Sequence, residues 1–223
     1  MTAETTTRPV LTRARIIVDD SPESPREWDN LGVFVGAEHR SYEIGDRRPT
    51  ATEIRALERG GFALLERYLR RTEGATHVLA VGMLDHSGVH FYVGGGAHWT
   101  DSAGWDSGTC GFIYDSREGR EACGTPPELI AEALAGEIET YDQWASGDVY
   151  GYVIERRTLC ALCSALDADD VPARCPHCDL DTDDSCWGFY GADPRENGMA
   201  EYLDAEDLAA LVETYDADRI EYR

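Results

Sequence analysis

Apolar positions recur along this chain with two periods, one near 2 and one near 3.6, and the two kinds of segment do not alternate strictly. The polar stretch 1–12 reads as a disordered N-terminus, and a strand opens at Arg15-Ile16-Ile17-Val18. A Pro-, Asp- and Glu-rich loop over 21–30 leads into a second apolar strand over 31–35. Thr50 or Thr52 caps a helix to about residue 71, with Ile54, Leu57, Phe62, Leu65 and Leu69 at helical spacing and Gly60-Gly61 as a kink. Two β runs, 77–84 and 89–93, are joined by Asp85-His86-Ser87-Gly88 as a hairpin. Another strand follows the glycine-rich segment 94–108, over 109–114. Pro126-Pro127 then opens a helix to about 145 whose apolar face is Leu129, Ile130, Ala133, Leu134, Ile138, Tyr141 and Trp144. Its outer face carries Glu128, Glu132, Glu137 and Glu139. Strands over 149–154 and 186–190 bracket a cysteine segment, and an acidic helix over 205–215 ends the pattern.

This order predicts an α+β fold, a mainly antiparallel sheet with packed helices and an inserted zinc-ribbon-like loop. The expected domains are a disordered 1–12, an α+β core over 13–157, a zinc-binding insert over 158–183, and a final core strand with acidic C-terminal helices over 184–223. At 223 residues and 42% hydrophobic content the chain is long enough to bury a core. No apolar run approaches the roughly 20 residues that span a bilayer, and the first residues lack the apolar centre of a signal peptide. The expectation is a soluble cytoplasmic protein with reduced thiols.

The insert carries the firmest chemistry. Cys160-Ala-Leu-Cys163 and Cys175-Pro-His-Cys178 are two C-x2-C pairs, and each pair forms a knuckle whose sulfurs can reach one zinc ion about 2.3 Å away. A redox dithiol or unliganded cysteines are the competing readings. Four sulfurs close the coordination shell, so the predicted zinc is structural, and His177 is expected to face solvent. Cys110, Cys123 and Cys186 read as small buried hydrophobes.

Charge sharpens the functional picture. Residues 1–110 hold 16 acids against 12 arginines, net −4, and residues 111–223 hold 27 against 8, net −19. Such a half repels a phosphate backbone and favours a basic partner. There is no lysine, a composition that a GC-rich genome or a high-salt cytoplasm would also produce. Candidate partner-binding carboxylates are Glu128, Glu132, Glu139, Asp142, Asp181, Asp183, Asp184, Asp204 and Asp207.

The segments Ser24-Pro25-Arg26-Glu27-Trp28-Asp29-Asn30-Leu31-Gly32, Asp85-His86-Ser87-Gly88, Trp105-Asp106-Ser107-Gly108, Glu139-Thr140-Tyr141-Asp142, Gly147-Asp148-Val149-Tyr150-Gly151 and Asp184-Ser185-Cys186-Trp187-Gly188-Phe189-Tyr190-Gly191 together carry a resemblance. In this order they are similar to a family of uncharacterised proteins encoded by bacteriophages and prophages. The resemblance covers most of residues 16–191 and implies a viral accessory role with no catalytic residue.

Three functions compete. The first is an accessory protein that binds a basic, nucleic-acid-binding host protein through its acidic surface, as a DNA mimic or an inhibitor of host defence. The second is a zinc-stabilised enzyme with a site near Asp85-His86-Ser87, drawing on His90, His98, Asp106, Ser107 and Cys110. The third is a structural or assembly protein whose acidity reflects its host. The glycine run 94–96 lacks the Gly-Lys-Ser/Thr of a phosphate cradle, and Trp99, Trp105, Trp187, Phe189 and Tyr190 read as core aromatics.

Overall fold

The computed structural model describes residues 9–37, 39, 43–101, 103–167, 170–172 and 175–222, with the backbone alone for 180–183. Residues 1–8 of the expected disordered segment lie outside this set, whereas β1 already runs from Val10 to Val18, five residues earlier than the expected start at Arg15. The extension follows from pairing: β1 aligns over its full length with β6 (Val149–Thr158), so even polar Thr12 and Arg13 are held in the ladder. The fold is α+β, with four α-helices and two four-stranded, mostly antiparallel sheets among the described residues.

The chain separates into two compact units, residues 23–146 and the pair of segments 1–22 and 147–223. The 13–157 core expected as one body is therefore divided between them.

In the unit of residues 23–146, strands β2 (Gly32–Gly36), β3 (Val78–Asp85), β4 (Val89–Val93) and β5 (Ser107–Asp115) form a sheet of order β2-β5-β3-β4. Both faces are covered. Val35, Phe112 and Tyr114 pack with Ala56, Leu65 and Leu69 of α1 (Ala51–Thr72), while Phe34, Cys110 and Ile113 pack with Ile130, Leu134, Ile138 and Tyr141 of α3 (Ile130–Ser146). Phe112, Ile113 and Tyr114 alternate between the two cores, and the bulge opposite Val81 and Gly82 turns Cys110 to the Ile113 side, which explains why β5 reads as a continuous apolar run. Helix α1 begins at a capping box, in which Glu53 N donates to the Thr50 hydroxyl and Thr50 N donates to Glu53, and it kinks at Gly61 (φ 60°, ψ −155°). The sequence pattern did not signal α2 (Arg117–Cys123), a short helix capped by Ser116 and ended by left-handed Gly124.

The other unit has the order β7-β6-β1-β8, where β7 spans Asp179–Tyr190 and β8 is the two-residue Ile220–Glu221, parallel to β1. Helix α4 (Ala205–Asp216) supplies Leu211 to a core of Ile16, Tyr152, Ile154, Phe189 and Met199. Strands β6 and β7 are longer than expected and pair out to Thr158 and Asp179, which places the cysteine segment at the tip of their ladder, as the sequence order predicted.

Candidate metal centre

The β6–β7 ladder delivers the two ends of the cysteine segment side by side. From there each knuckle is set by local hydrogen bonds: Ser164 N donates to Cys160 O at 2.9 Å, Leu166 N to Cys163 O at 3.1 Å, and Cys178 N to Cys175 O at 3.3 Å. The sulfurs of Cys160, Cys163, Cys175 and Cys178 all lie within 4.8 Å of one another, and Cys160 Sγ is 3.9 Å from Cys175 Sγ. A tetrahedron with 2.3 Å metal–sulfur bonds has edges of roughly 3.8 Å, so the set is sized for one ion. Leu159 and Val171 are buried with Cys160 and Cys163, and Leu11 packs on them. Two arginines fix the returning backbone: Arg13 Nη2 donates to Val171 O at 3.0 Å and Arg157 Nη1 to Pro172 O at 2.9 Å.

Electrostatics split the thiols. Backbone amides, chiefly that of Cys163, hold the Cys160 thiol down at about 6, whereas burial and the neighbouring sulfurs push Cys163 up to about 12. Four sulfurs this close cannot all ionise unaided, and a divalent cation is the charge that would let them. His177 is exposed and stands outside the cluster, as expected.

Of the remaining cysteines one is as expected and two are not. Cys110, on β5, is buried in the core, but Cys123 is exposed at the end of α2 and Cys186 is half-buried. A cysteine packs as a small hydrophobe only where its element turns it inward, and the α2 terminus does not.

The hairpin set gathers into histidine–carboxylate contacts and turn contacts. His86 Nδ1 lies 2.8 Å from Asp106 Oδ2, His39 Nε2 lies 3.5 Å from Asp85 Oδ2, and His90 Nδ1 lies 3.3 Å from Asp142 Oδ1. Ser107 donates its hydroxyl to Asp101 Oδ2 and accepts from His98 N, both at 2.8 Å, and burial pushes the Cys110 thiol up to about 12. Neither group is poised as an activated nucleophile. At the turn itself Ser87, not Gly88, takes positive φ, at 58°. In the glycine run, Gly96 N donates to Thr109 Oγ1 and Gly96 O accepts from Tyr92, so these residues brace the sheet end.

The aromatics divide. Phe189 is core, but Trp99 and Trp105 are 85% and 86% exposed. Asp101 sets the path of their loop by accepting from Trp105 N, Asp106 N and Ser107 Oγ, and that path turns both indoles outward.

The candidate partner-binding carboxylates divide too. Glu128, Glu132, Glu139, Asp184 and Asp204 are exposed. Asp142 accepts from Phe91 N at 2.7 Å, Asp204 caps α4, and Asp207 is buried against Arg156, so these three serve the fold. The side chains of Asp181 and Asp183 lie outside the described set. Glu137, expected on the outer face of α3, turns inward to Arg26, Leu31 N and Gly32 N.

Sequence reasoning missed that last cluster. Arg26, with 7% of its side chain exposed, holds Asp46 through Nε and Nη2 at 2.7 Å, Glu137 through Nη1 at 2.8 Å and Gly32 O through Nη2 at 2.7 Å. Its only sequence signal is an arginine between two prolines and an apolar run.

No family model, curated protein or solved structure matches the chain. No described helix is long and apolar enough to cross a membrane.

Proposed function

We propose that this is a phage-type accessory protein with a structural zinc site, which acts by binding a basic host protein that itself handles nucleic acid. The observation that carries the reading is the exposure of Glu128, Glu132 and Glu139 on one side of the α3 region of a chain with net charge −23. At 100° per residue Glu132 and Glu139 fall within about 20° of one another on α3, and Glu128 stands just before them in the 3-10 turn Pro127–Leu129, so the three make one acidic run. Their span of 11 residues is about 16 Å, over which duplex DNA would carry roughly nine charges. Three carboxylates are too sparse to copy a duplex, and the support is therefore for charge-complementary binding, with literal DNA mimicry left aside.

Cys160, Cys163, Cys175 and Cys178 would hold zinc, which supplies a crosslink between the two knuckles and, with four sulfurs, keeps no position for substrate. Metal analysis of purified protein should give one zinc per chain, lost in Cys175→Ser/Cys178→Ser. Tagged protein in nuclease-treated lysate, washed through rising salt, should retain one stoichiometric basic protein that elutes as salt rises. Recovery of nothing at any salt would instead favour compositional acidity.

A further inference from the structure

A groove of about 430 Å3 runs beside the first half of β5, within residues 37–110. Its most buried lining residues are Ile44 and Cys110, 4% and 6% exposed, which with Met83 make an apolar floor. Its rim is Asp85, Trp105 and Asp106. The two carboxylates come from opposed backbone positions at the open end of the β3–β5 ladder, where Asp85 N donates to Asp106 O at 2.8 Å. An imidazole stands at Oδ2 of each, His39 Nε2 at 3.5 Å from Asp85 and His86 Nδ1 at 2.8 Å from Asp106, and among the described residues neither Oδ1 accepts a hydrogen bond. Trp105 stands beside them, its backbone fixed by Asp101.

We propose that this groove receives an arginine side chain of the basic partner, its stem lying on the apolar floor, its guanidinium meeting Asp85 and Asp106, and its plane stacking on Trp105. This rests on the binding role proposed above and gives it a location. An arginine stem is apolar and its head is a planar fork of donors, the combination that a greasy floor with two carboxylates and an indole complements. The exposed indole is the informative part. A tryptophan turned almost wholly to solvent on a hydrogen-bonded loop forgoes burial in the free protein and enters a contact with little ordering still to be done, as anchor residues of interfaces do. A nucleic acid base would stack on the same indole, but its phosphates would meet Asp85 and Asp106 and be repelled. Lysine would satisfy the charge without the planar stacking.

Octa-arginine and octa-lysine are the probes, titrated calorimetrically into the full chain at low salt. Octa-arginine should bind, and at least fivefold more tightly than octa-lysine. Trp105→Ala and Asp106→Asn should each weaken it about tenfold, with Trp105→Phe recovering part of the loss. Glu58→Gln/Glu121→Gln, at exposed positions in neither the groove nor the acidic run of α3, should change it less than twofold, and Glu132→Gln/Glu139→Gln reports on that run separately. Because Trp105 is exposed, Trp105→Ala should keep the parent's thermal transition, which separates lost contact from lost fold. If the Glu132/Glu139 variant loses the affinity and the groove variants keep it, the groove is overturned and the acidic-surface role survives. If the wild-type chain binds neither peptide, both readings fall, and tighter binding of a single-stranded oligonucleotide than of octa-arginine would also overturn the groove.

Discussion

Arg26 brings a full positive charge into a site where 7% of its side chain sees water, and its neighbours decide whether that is tolerable. Burial alone would pull its pKa down; Asp46 and then Glu137 outweigh that and raise it, while Asp46 also accepts from Phe34 N and Glu137 from Leu31 N. One guanidinium thus fixes the entry to β2, the 43–47 segment and α3. Arg26→Met should destabilise the protein by about 3–5 kcal/mol in chemical denaturation, because two carboxylates lose their counter-charge, and Arg26→Lys should recover little of this without the fork geometry. None of this was legible in the sequence, since the partners lie 20 and 111 residues away. Glu53 shows the opposite case, a local pair. Burial would raise its pKa, but Arg47 at 2.7 Å and the amide and hydroxyl of Thr50 hold it below the usual carboxylate value. A depressed folded pKa stabilises the folded state above the unfolded value of about 4.3 and loses that contribution as pH falls through the lower folded value. Glu53→Gln should cost about 2–3 kcal/mol at neutral pH, at the low end for a buried pair because Arg47 is one-third exposed, and the difference from wild type should shrink below pH 4 in acid titration of the fold.

Elements specified by contiguous residues could be read from the sequence, and those specified by pairing could not. The Thr50 cap, the Gly61 kink, the β3–β4 hairpin and the cysteine knuckles each depend on neighbours within a few positions, and each stands where the pattern placed it. Helix α2 has the sequence Arg-Glu-Gly-Arg-Glu-Ala-Cys, with no apolar period to find, and β8 is a strand only because β1 offers it an edge. The Cys186-Trp187-Gly188-Phe189 run shows how a motif can be structural. The β6–β7 register passes from Tyr150↔Phe189 to Gly151↔Trp187, which leaves Gly188 as the extra residue of a bulge at φ 86°. Across the ladder, a Cβ on Gly151 would lie 2.3 Å from the Trp187 indole. Gly188→Ala should therefore cost about 1 kcal/mol or more, and Gly151→Val considerably more, in equilibrium unfolding. Chelation of the proposed zinc should raise hydrogen exchange first at residues 159–178, because the small cluster of Leu159, Val171 and the cysteines has little other apolar contact. An equal response through β1 and α4 would count against a locally acting crosslink.

At the scale of the whole molecule, the charge asymmetry read along the sequence largely dissolves once the chain is divided by its fold. Residues 23–146 carry 21 acids against 11 arginines, net −10, and the two outer segments carry 22 against 9, net −13. The acidity belongs to both units, so any salt-dependent partner has two surfaces of the same sign to meet. Residues 23–146 are also contiguous with a core on each face of their sheet, and that segment produced alone should unfold in one cooperative thermal transition. The other unit has no such independence. Its strand β1 is an inner member of the sheet, yet the β6 that flanks it begins at Val149, about 130 residues later. On a ribosome adding 5–20 residues per second, β1 waits on the order of 10 s with Ile16, Ile17 and Val18 unpaired while the whole intervening unit is made. Arg13 and Arg15 interrupt its apolar run during that interval and act as gatekeepers against association of nascent chains. A strand paired only by segments made so much later is left exposed in any chain that stalls before Val149, and such a chain carries the same sticky surface.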